Sequence, residues 1–199
     1  MKKTYFILLL IIVMLLTATL SLGHELDNKL MGKVIILDAG HGGKDKGTMV
    51  NGIYESDINL NIVLKLRDEL VKQGVEVILT RDGDFDLSSP NIDRRKKSDF
   101  DNRINLINES NADMYLSIHI NYLSDNKYYG AQVFYTKDNE QLAKVMQKKF
   151  NEELKSPMKA KEIQDTIYMY KQLNIKGLLI ECGFLSNKKE RYLLNNDEY

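Results

Sequence analysis

The segment Val34-Ile-Ile-Leu-Asp-Ala-Gly-His-Gly-Gly43 decides the fold, because an apolar run passes there directly into a glycine-rich stretch. A short, continuous apolar run bounded by turn-forming residues is typical of a strand that is buried on both faces of a parallel sheet. Runs of the same kind end at His119 and at Glu181. In open α/β sheets, ligands bind beyond the carboxyl ends of the strands. The sequence therefore predicts a functional site where these runs end.

Apolar runs and helical periodicity alternate along the chain, which predicts an α/β fold with a mainly parallel sheet covered by helices on both faces. A capping pair formed by Asp138 and Gln141 is expected to start one of the helices. The polar stretch 81–97 is expected to be either a solvated loop or a rim over an active site. The predicted strands are 34–37, 75–79, 114–118, 131–135, 167–170 and 177–180, and the predicted helices are 56–73, 98–111, 138–154 and 187–194.

Length and composition limit the classes of function. The chain has 199 residues, of which 43% are hydrophobic, and this suits one packed domain. Lys and Arg number 28, and Asp and Glu also number 28, which argues against a nucleic-acid-binding face. One cysteine, Cys182, excludes an internal disulfide and cysteine-based zinc clusters. A metal site built on histidine would have to use His24, His41 or His119.

Residues 1–24 are predicted to be a signal peptide or an N-terminal membrane anchor. Lys2 and Lys3 precede a stretch, residues 4–23, that carries no charge. A basic start followed by an apolar core is typical of a secretory signal, and twenty uncharged residues also suffice to span a bilayer. Either interpretation predicts that residues 25–199 act outside the cytoplasmic membrane.

Three side chains, those of His41, His119 and Glu181, are expected at one edge of the sheet. A catalytic zinc site needs three protein ligands and keeps a fourth position open, so the two histidines require a carboxylate. Glu55 is the favoured third ligand because it lies where the glycine-rich loop re-enters a helix, and Asp57 is its competitor. Glu181, held in an apolar wall, is suited to act as a general base in metal-assisted hydrolysis of an amide.

Cys182 leaves a second mechanism open. Its position beside Glu181 fits a small buried residue, whereas pairing with His119 would give a Cys–His hydrolase. The buried residue is favoured, because the Cys–His mechanism would leave the glycine-rich loop around His41 without a use.

Six motifs follow one another in order along residues 33–199. They are Ile36-Leu-Asp-Ala-Gly-His-Gly-Gly43, Glu55-Ser-Asp-Ile-Asn-Leu60, Leu79-Thr-Arg81, Arg103 within 102–113, Ser117-Ile-His-Ile-Asn121 and Leu179-Ile-Glu-Cys-Gly-Phe-Leu-Ser-Asn187. Together they resemble the zinc-dependent N-acetylmuramoyl-L-alanine amidases of the amidase-3 type. The resemblance implies a twisted mixed sheet, zinc held by His41, Glu55 and His119, and Glu181 as the catalytic carboxylate. It also implies peptidoglycan as the substrate, cleaved between N-acetylmuramic acid and L-alanine.

Within that family the layout is most similar to the germination-specific amidases of spore-forming bacteria. An export signal precedes the catalytic domain, 25–199, and a charged stretch lies at 91–97. Some members carry a helix after the second histidine that blocks the site until an activator binds, and residues 122–129 are too few for it. The resemblance implies action on spore cortex, in which muramic-δ-lactam forms together with a deacetylase. An activator protein is a further partner that it allows.

Two departures from the family pattern and two alternative functions remain. Ile120 stands where the family usually has alanine, and family members continue into a C-terminal helix beyond Tyr199, which predicts that this sequence is a fragment. One alternative is a peptidoglycan-binding module without catalysis, which the presence of all four site residues disfavours. The other is a zinc carboxypeptidase on a related sheet. It is disfavoured because His41 and Glu55 are fourteen positions apart, whereas such enzymes usually place His and Glu three apart.

Overall fold

The computed structural model describes residues 30–163 and 167–199, and its central feature is a six-stranded mixed sheet. The predicted N-terminal segment, 1–24, lies outside these residues. No helix in the described part of the chain is both long enough and apolar enough to cross a membrane. The strands of the large sheet and of a separate two-stranded hairpin are β1 Val34–Ala39, β2 Met49–Val50, β3 Ile53–Tyr54, β4 Glu76–Leu79, β5 Met114–Asn121, β6 Gln132–Tyr135, β7 Lys161–Glu162 and β8 Gly177–Phe184.

The sheet has the spatial order β4-β1-β5-β8-β6-β7. β1 is parallel to β4 and β5, and β5 is parallel to β8. β6 runs antiparallel to β8 and parallel to β7, so the sheet is mixed. The carboxyl ends of β1, β5 and β8 therefore meet at one edge, which confirms the predicted fold class.

Helices cover both faces of the sheet because its central strands are apolar on both faces. On one face Leu37 and Ile118 pack in a core with Val63, and on the other Ile36 packs in a core with Tyr115 and Ile107. Burying each such side chain contributes roughly 1.5–3 kcal/mol. The helices are α1 Glu55–Lys72, α2 Arg95–Glu109, α3 Glu140–Glu153, α4 Tyr168–Lys171 and α5 Lys188–Leu194.

The strand predicted at 167–170 is wrong. Residues 168–171 form one helical turn, α4, in place of a strand. The β-branched and aromatic side chains of this stretch favoured a strand, but Met169 and Tyr170 are adjacent and both are buried. A strand would direct these two neighbours to opposite faces, whereas a helical turn directs both into the core beside α2.

The capping pair predicted from Asp138 and Gln141 is also wrong. A 3₁₀ turn, Lys137–Asn139, precedes α3, and the helix starts at Glu140. Asn139 occupies the N-cap position without a side-chain capping bond, and its side-chain amide donates to the hydroxyl of Thr136 at 2.9 Å. The hairpin of β2 and β3, like β7, was not predicted, since two-residue strands show no periodicity.

Gly177, the first residue of β8, tests how tightly the face that carries α2 is packed. A Cβ atom at Gly177 would overlap the ring of Tyr115, which is about 1% exposed and cannot swing away. We expect Gly177→Ala to lower the free energy of unfolding by about 1–3 kcal/mol in urea denaturation. In Gly83→Ala the added atom would meet only the ring of Phe85, which is exposed, so this control should stay within about 0.5 kcal/mol of wild type. Equal effects of the two substitutions would contradict the packing argument.

Candidate active site

The carboxyl ends of β5 and β8 place His119 and Glu181 side by side. The two residues are register partners in adjacent parallel strands, so their side chains emerge on the same face of the sheet. The register shifts immediately afterwards, between His119 and Asn121. Irregularities of this kind often re-aim a side chain next to an active site. The sequence predicted that both side chains lie at one edge of the sheet, and the structure places them there as neighbours.

His41, Glu55 and His119 converge at that edge. Glu55 Oε1 lies 3.2 Å from His41 Nε2 and 3.0 Å from His119 Nδ1. One ligand atom from each residue lies within 4.8 Å of the other two. These three side chains could therefore hold a metal ion. The two imidazole rings meet edge to face, with centroids 5.0 Å apart.

Glu55 is held in place by the loop that it closes. It is the first residue of α1, where a carboxylate is favoured by the helix dipole, and it is only 4% exposed. Its Oε2 accepts a hydrogen bond from the Thr48 amide at 2.9 Å, which leaves Oε1 directed at the histidines. Burial raises the pKa of Glu55, but hydrogen bonds from His119 and His41 outweigh it and hold the pKa well below its usual range.

His41 has a left-handed backbone, with φ of 61°. This conformation costs a non-glycine residue about 1–2 kcal/mol, and it directs the imidazole back toward α1. The ring is oriented by Asp45, whose Oδ1 lies 3.1 Å from His41 Nδ1. Burial lowers the pKa of His41, but the hydrogen bonds to Asp45 and Glu55 outweigh it and raise the pKa to about 9.

Asp45 is a residue of this site that the sequence did not predict. It lies four residues after His41. A spacing of four brings side chains together in a helix, but the sequence around these two residues does not predict a helix. The signal that could have found it is chemical, because an imidazole that binds a metal commonly donates its other N–H to a carboxylate. Backbone bonds between Gly42 and Asp45 close the tight turn that brings the carboxylate to the ring.

Arg103 also stabilises the His41 loop, through hydrogen bonds to its backbone. Its Nη2 donates to the carbonyl oxygen of His41 at 2.6 Å, and its Nη1 donates to Asp38 at 2.6 Å and to the carbonyl of Ala39 at 2.9 Å. The guanidinium is about 1% exposed and also pairs with Asp99. The sequence placed Arg103 near this edge of the sheet, and the structure shows it bonded within the protein while it lines the pocket of the histidines and Glu181.

Gly40 makes room for His119. A Cβ atom at Gly40 would overlap the imidazole of His119, so the two segments can approach this closely only with glycine here. The amide of Gly40 donates to the carbonyl of Ile118 at 3.0 Å, which ties the loop to the end of β5. The glycine-rich stretch therefore serves close packing of the two histidines.

Glu181 lies next to the cluster in the same pocket as both histidines. Its Oε2 is buried and finds no hydrogen-bond partner among the described residues. Burial raises the pKa of Glu181 to about 7, with His119 opposing the shift. A carboxyl group of this kind can accept and release a proton near neutral pH.

The two competitors raised by the sequence, Asp57 and Cys182, are placed outside the cluster. Asp57 is exposed on α1 and lies near the hydroxyl of Ser56. Cys182 follows Glu181 in β8 and packs with the core on the opposite face, where burial raises the pKa of its thiol to about 12. A thiol that stays protonated on the far side of the sheet cannot be the nucleophile of a Cys–His hydrolase.

Comparison with known proteins gives a consistent family assignment. The family model for N-acetylmuramoyl-L-alanine amidase matches residues 35–199. The germination-specific N-acetylmuramoyl-L-alanine amidase of Bacillus subtilis (strain 168) is 41% identical over 177 residues, covering 85% of this chain and 74% of the relative. An endolysin of Bacillus phage SPP1 is 32% identical over 178 residues, covering 85% of this chain and 61% of the relative.

Solved structures agree with the fold. The CwlD amidase from Clostridioides difficile, solved in complex with the GerS lipoprotein, has a TM-score of 0.79 and 42% sequence identity. That match covers 84% of this chain and 90% of the other. An N-acetylmuramoyl-L-alanine amidase from Clostridium difficile 630 has a TM-score of 0.72 and 30% identity, covering 84% of this chain and 88% of the other.

Proposed function

This chain belongs to the N-acetylmuramoyl-L-alanine amidase family, and we propose that it cleaves its substrate with a zinc ion held by His41, Glu55 and His119 and with Glu181 as the catalytic carboxylate. As a member of that family it is an amide hydrolase of the cell wall. The observation that carries the proposal is the convergence of three donor atoms within 4.8 Å of one another beside a buried carboxylate.

The donor set fits zinc. Two imidazole nitrogens and one carboxylate oxygen are a known set for catalytic zinc, which leaves a fourth position open. His41 would bind through Nε2, His119 through Nδ1 and Glu55 through Oε1, the atoms that already face one another. A zinc ion bound there supplies a nucleophile at neutral pH and polarises the carbonyl of the scissile amide.

Glu181 handles the protons of the reaction. Its free Oε2 lies in the pocket beside both histidines, so it can take a proton from the attacking water and give it to the amine that leaves. Burial raises the pKa of Glu181, which favours uptake of the proton from water, and a zinc ion nearby would oppose that rise and favour its return to the amine. Water that enters the pocket meets the carboxylate and the imidazoles together, which aligns the attack with the proton transfer.

The biological setting that we propose is the spore cortex. The support is the 41% identity to an amidase named as germination-specific. Hydrolysis would free the lactyl carboxyl group of muramic acid, and the closure of a muramic-δ-lactam requires that group together with an amine exposed by a deacetylase. The N-terminal segment, 1–24, would carry the catalytic domain, 25–199, across the membrane to this substrate.

A protein partner is part of the proposal. The support is the related CwlD amidase, which was solved in complex with a lipoprotein. An activator of this chain would act by raising the affinity of the His41–Glu55–His119 site for zinc or by raising turnover. Zinc titration and turnover, each measured with and without a candidate lipoprotein from the same organism, distinguish these two actions.

Bond specificity is tested with peptidoglycan that retains muramic acid and intact stem peptides. The zinc-loaded protein should release new N-terminal alanine amines and no new reducing sugar ends, and a chelator should abolish the release. Release of C-terminal amino acids instead would indicate a carboxypeptidase. Binding to the wall without release of any product, with zinc bound, would favour a binding module.

Glu181→Gln separates catalysis from metal binding. We expect kcat to fall by about 10²–10⁴-fold, since the amide cannot accept the proton, while zinc binding stays at the wild-type stoichiometry. His119→Ala should instead lose zinc itself. Both properties are read from turnover and from zinc content after gel filtration, and full activity in Glu181→Gln would remove Glu181 from the mechanism.

Asp45→Asn tests the support of His41. The amide no longer carries the charge that favours the Nδ1–H form of the ring, so we expect zinc affinity to fall by about 10–100-fold. Asp57→Asn is the matched control, because it removes the same charge from an exposed residue of α1 outside the cluster. Zinc affinities are measured by competition with a chelator. An equal loss of affinity in both variants would show that the effect comes from net charge and not from the contact with His41.

A further inference from the structure

Arg81, the residue two positions beyond β4, has a buried charge that forms no ion pair with a carboxylate of the described residues. Its side chain is about 2% exposed. Within the described residues, the guanidinium forms hydrogen bonds only to backbone carbonyl oxygens. Burial and the charge of Arg103 lower the pKa of Arg81 to about 10, so the group stays charged at neutral pH. A buried cation with this set of partners requires an explanation, because buried charges are normally paired.

The acceptors of Arg81 lie in the two segments that carry proposed zinc ligands. Nη2 donates to the carbonyl of Gly40 at 3.0 Å and to the carbonyl of Ser56 at 2.7 Å. Gly40 directly precedes His41, and Ser56 directly follows Glu55. One nitrogen atom therefore joins the backbones on either side of the cluster. The other donors, Nε and Nη1, reach the carbonyls of Ala39 and Gly83.

We propose that Arg81 is a positioning residue, which fixes the separation between the His41 loop and the start of α1 and so sets the affinity for zinc. The inference rests on the proposed metal centre. His41 has a left-handed backbone, which relaxes toward ordinary φ values unless its neighbours are held. A shift of Gly40 relative to Ser56 would separate His41 Nε2 from Glu55 Oε1, now 3.2 Å apart.

Arginine suits this role because its donors form a planar fork. Nε and Nη2 bond at the same time to the carbonyls of Ala39 and Gly40, while Nη2 also reaches Ser56. Lysine presents one compact ammonium group and cannot keep donors at all of these positions. Arg81 is too buried to touch a substrate, so it acts through His41 and Glu55 and is not itself a catalytic residue.

The test measures zinc binding by the purified full chain after metal removal. Arg81→Lys keeps the charge without the fork, and Arg81→Gln keeps one donor group without the charge. Ile107→Ala is the matched control, because it opens a cavity in the core under α2, where Ile107 is fully buried. We expect both Arg81 variants to raise the Kd for zinc by about 10–100-fold, as loss of outer-shell support does. Ile107→Ala should bind zinc like wild type.

Thermal unfolding with and without zinc separates positioning from general stability. A ligand that binds only the folded state raises the unfolding temperature, and the increase grows with the logarithm of the ligand concentration divided by Kd. We expect the zinc-dependent increase to shrink in Arg81→Lys and to persist in Ile107→Ala, even if both metal-free proteins unfold earlier. Wild-type affinity in Arg81→Lys, with lowered stability alone, would overturn the proposal.

The remaining outcomes are also decisive. An Arg81→Lys chain that stays unfolded at saturating zinc would assign Arg81 to the fold as a whole and would likewise overturn the proposal. An Arg81→Lys chain that folds only on addition of zinc, with a raised Kd, would support it. A wild-type chain that binds no zinc would refute the metal centre itself, which is a different failure from equal binding by wild type and Arg81→Lys.

Discussion

The site depends on how three backbone carbonyls, those of Ala39, Gly40 and His41, find donors after β1 leaves the sheet. The ladder ends at the amide of Gly40, and the left-handed turn at His41 carries the chain away from β5. Buried carbonyls must be paired, and no strand is left to pair them. Two guanidinium groups, of Arg81 and Arg103, provide donors to all three. The unusual backbone of the loop is possible because these side chains replace a missing strand.

Arginine and carboxylate charges lie close together around this loop. Arg103 is paired with Asp38 and holds its pKa below the usual range against the effect of burial. Glu55 and Glu181 lie close to the histidines in the same part of the structure. A cation is therefore favoured beside the histidines, where these two carboxylates lie. A divalent ion at that position would also favour the ionised form of Glu181, opposing the rise in pKa that burial causes.

The sequence predicts those parts of the fold that depend on pattern and those parts of the site that lie at strand ends. Runs such as residues 34–37 and 177–180 are apolar without interruption, so the sequence predicts that they form buried strands. The helical turn at Tyr168–Lys171 was not predicted, because its side chains suit a strand equally well. Packing against the core determines that this stretch is helical. The contact of Asp45 with His41 and the hydrogen bonds of Arg81 were not predicted for another reason. They depend on the conformation of a loop, which no periodic pattern in the sequence indicates.

The two histidines offer different ring nitrogens to the cluster, and the surrounding structure explains why. His41 uses Nε2, because Asp45 takes Nδ1 on the far side of the ring. His119 uses Nδ1, because its Nε2 side lies over Gly40, where there is no side chain to displace it. The ring reached from a loop is thus fixed by a carboxylate, and the ring reached from a strand is fixed by packing. If the two rings exchanged the nitrogens that they direct at Glu55, the loop would need a different carboxylate position and the strand a different position for the glycine. The geometry of the cluster therefore depends on both the loop and the strand.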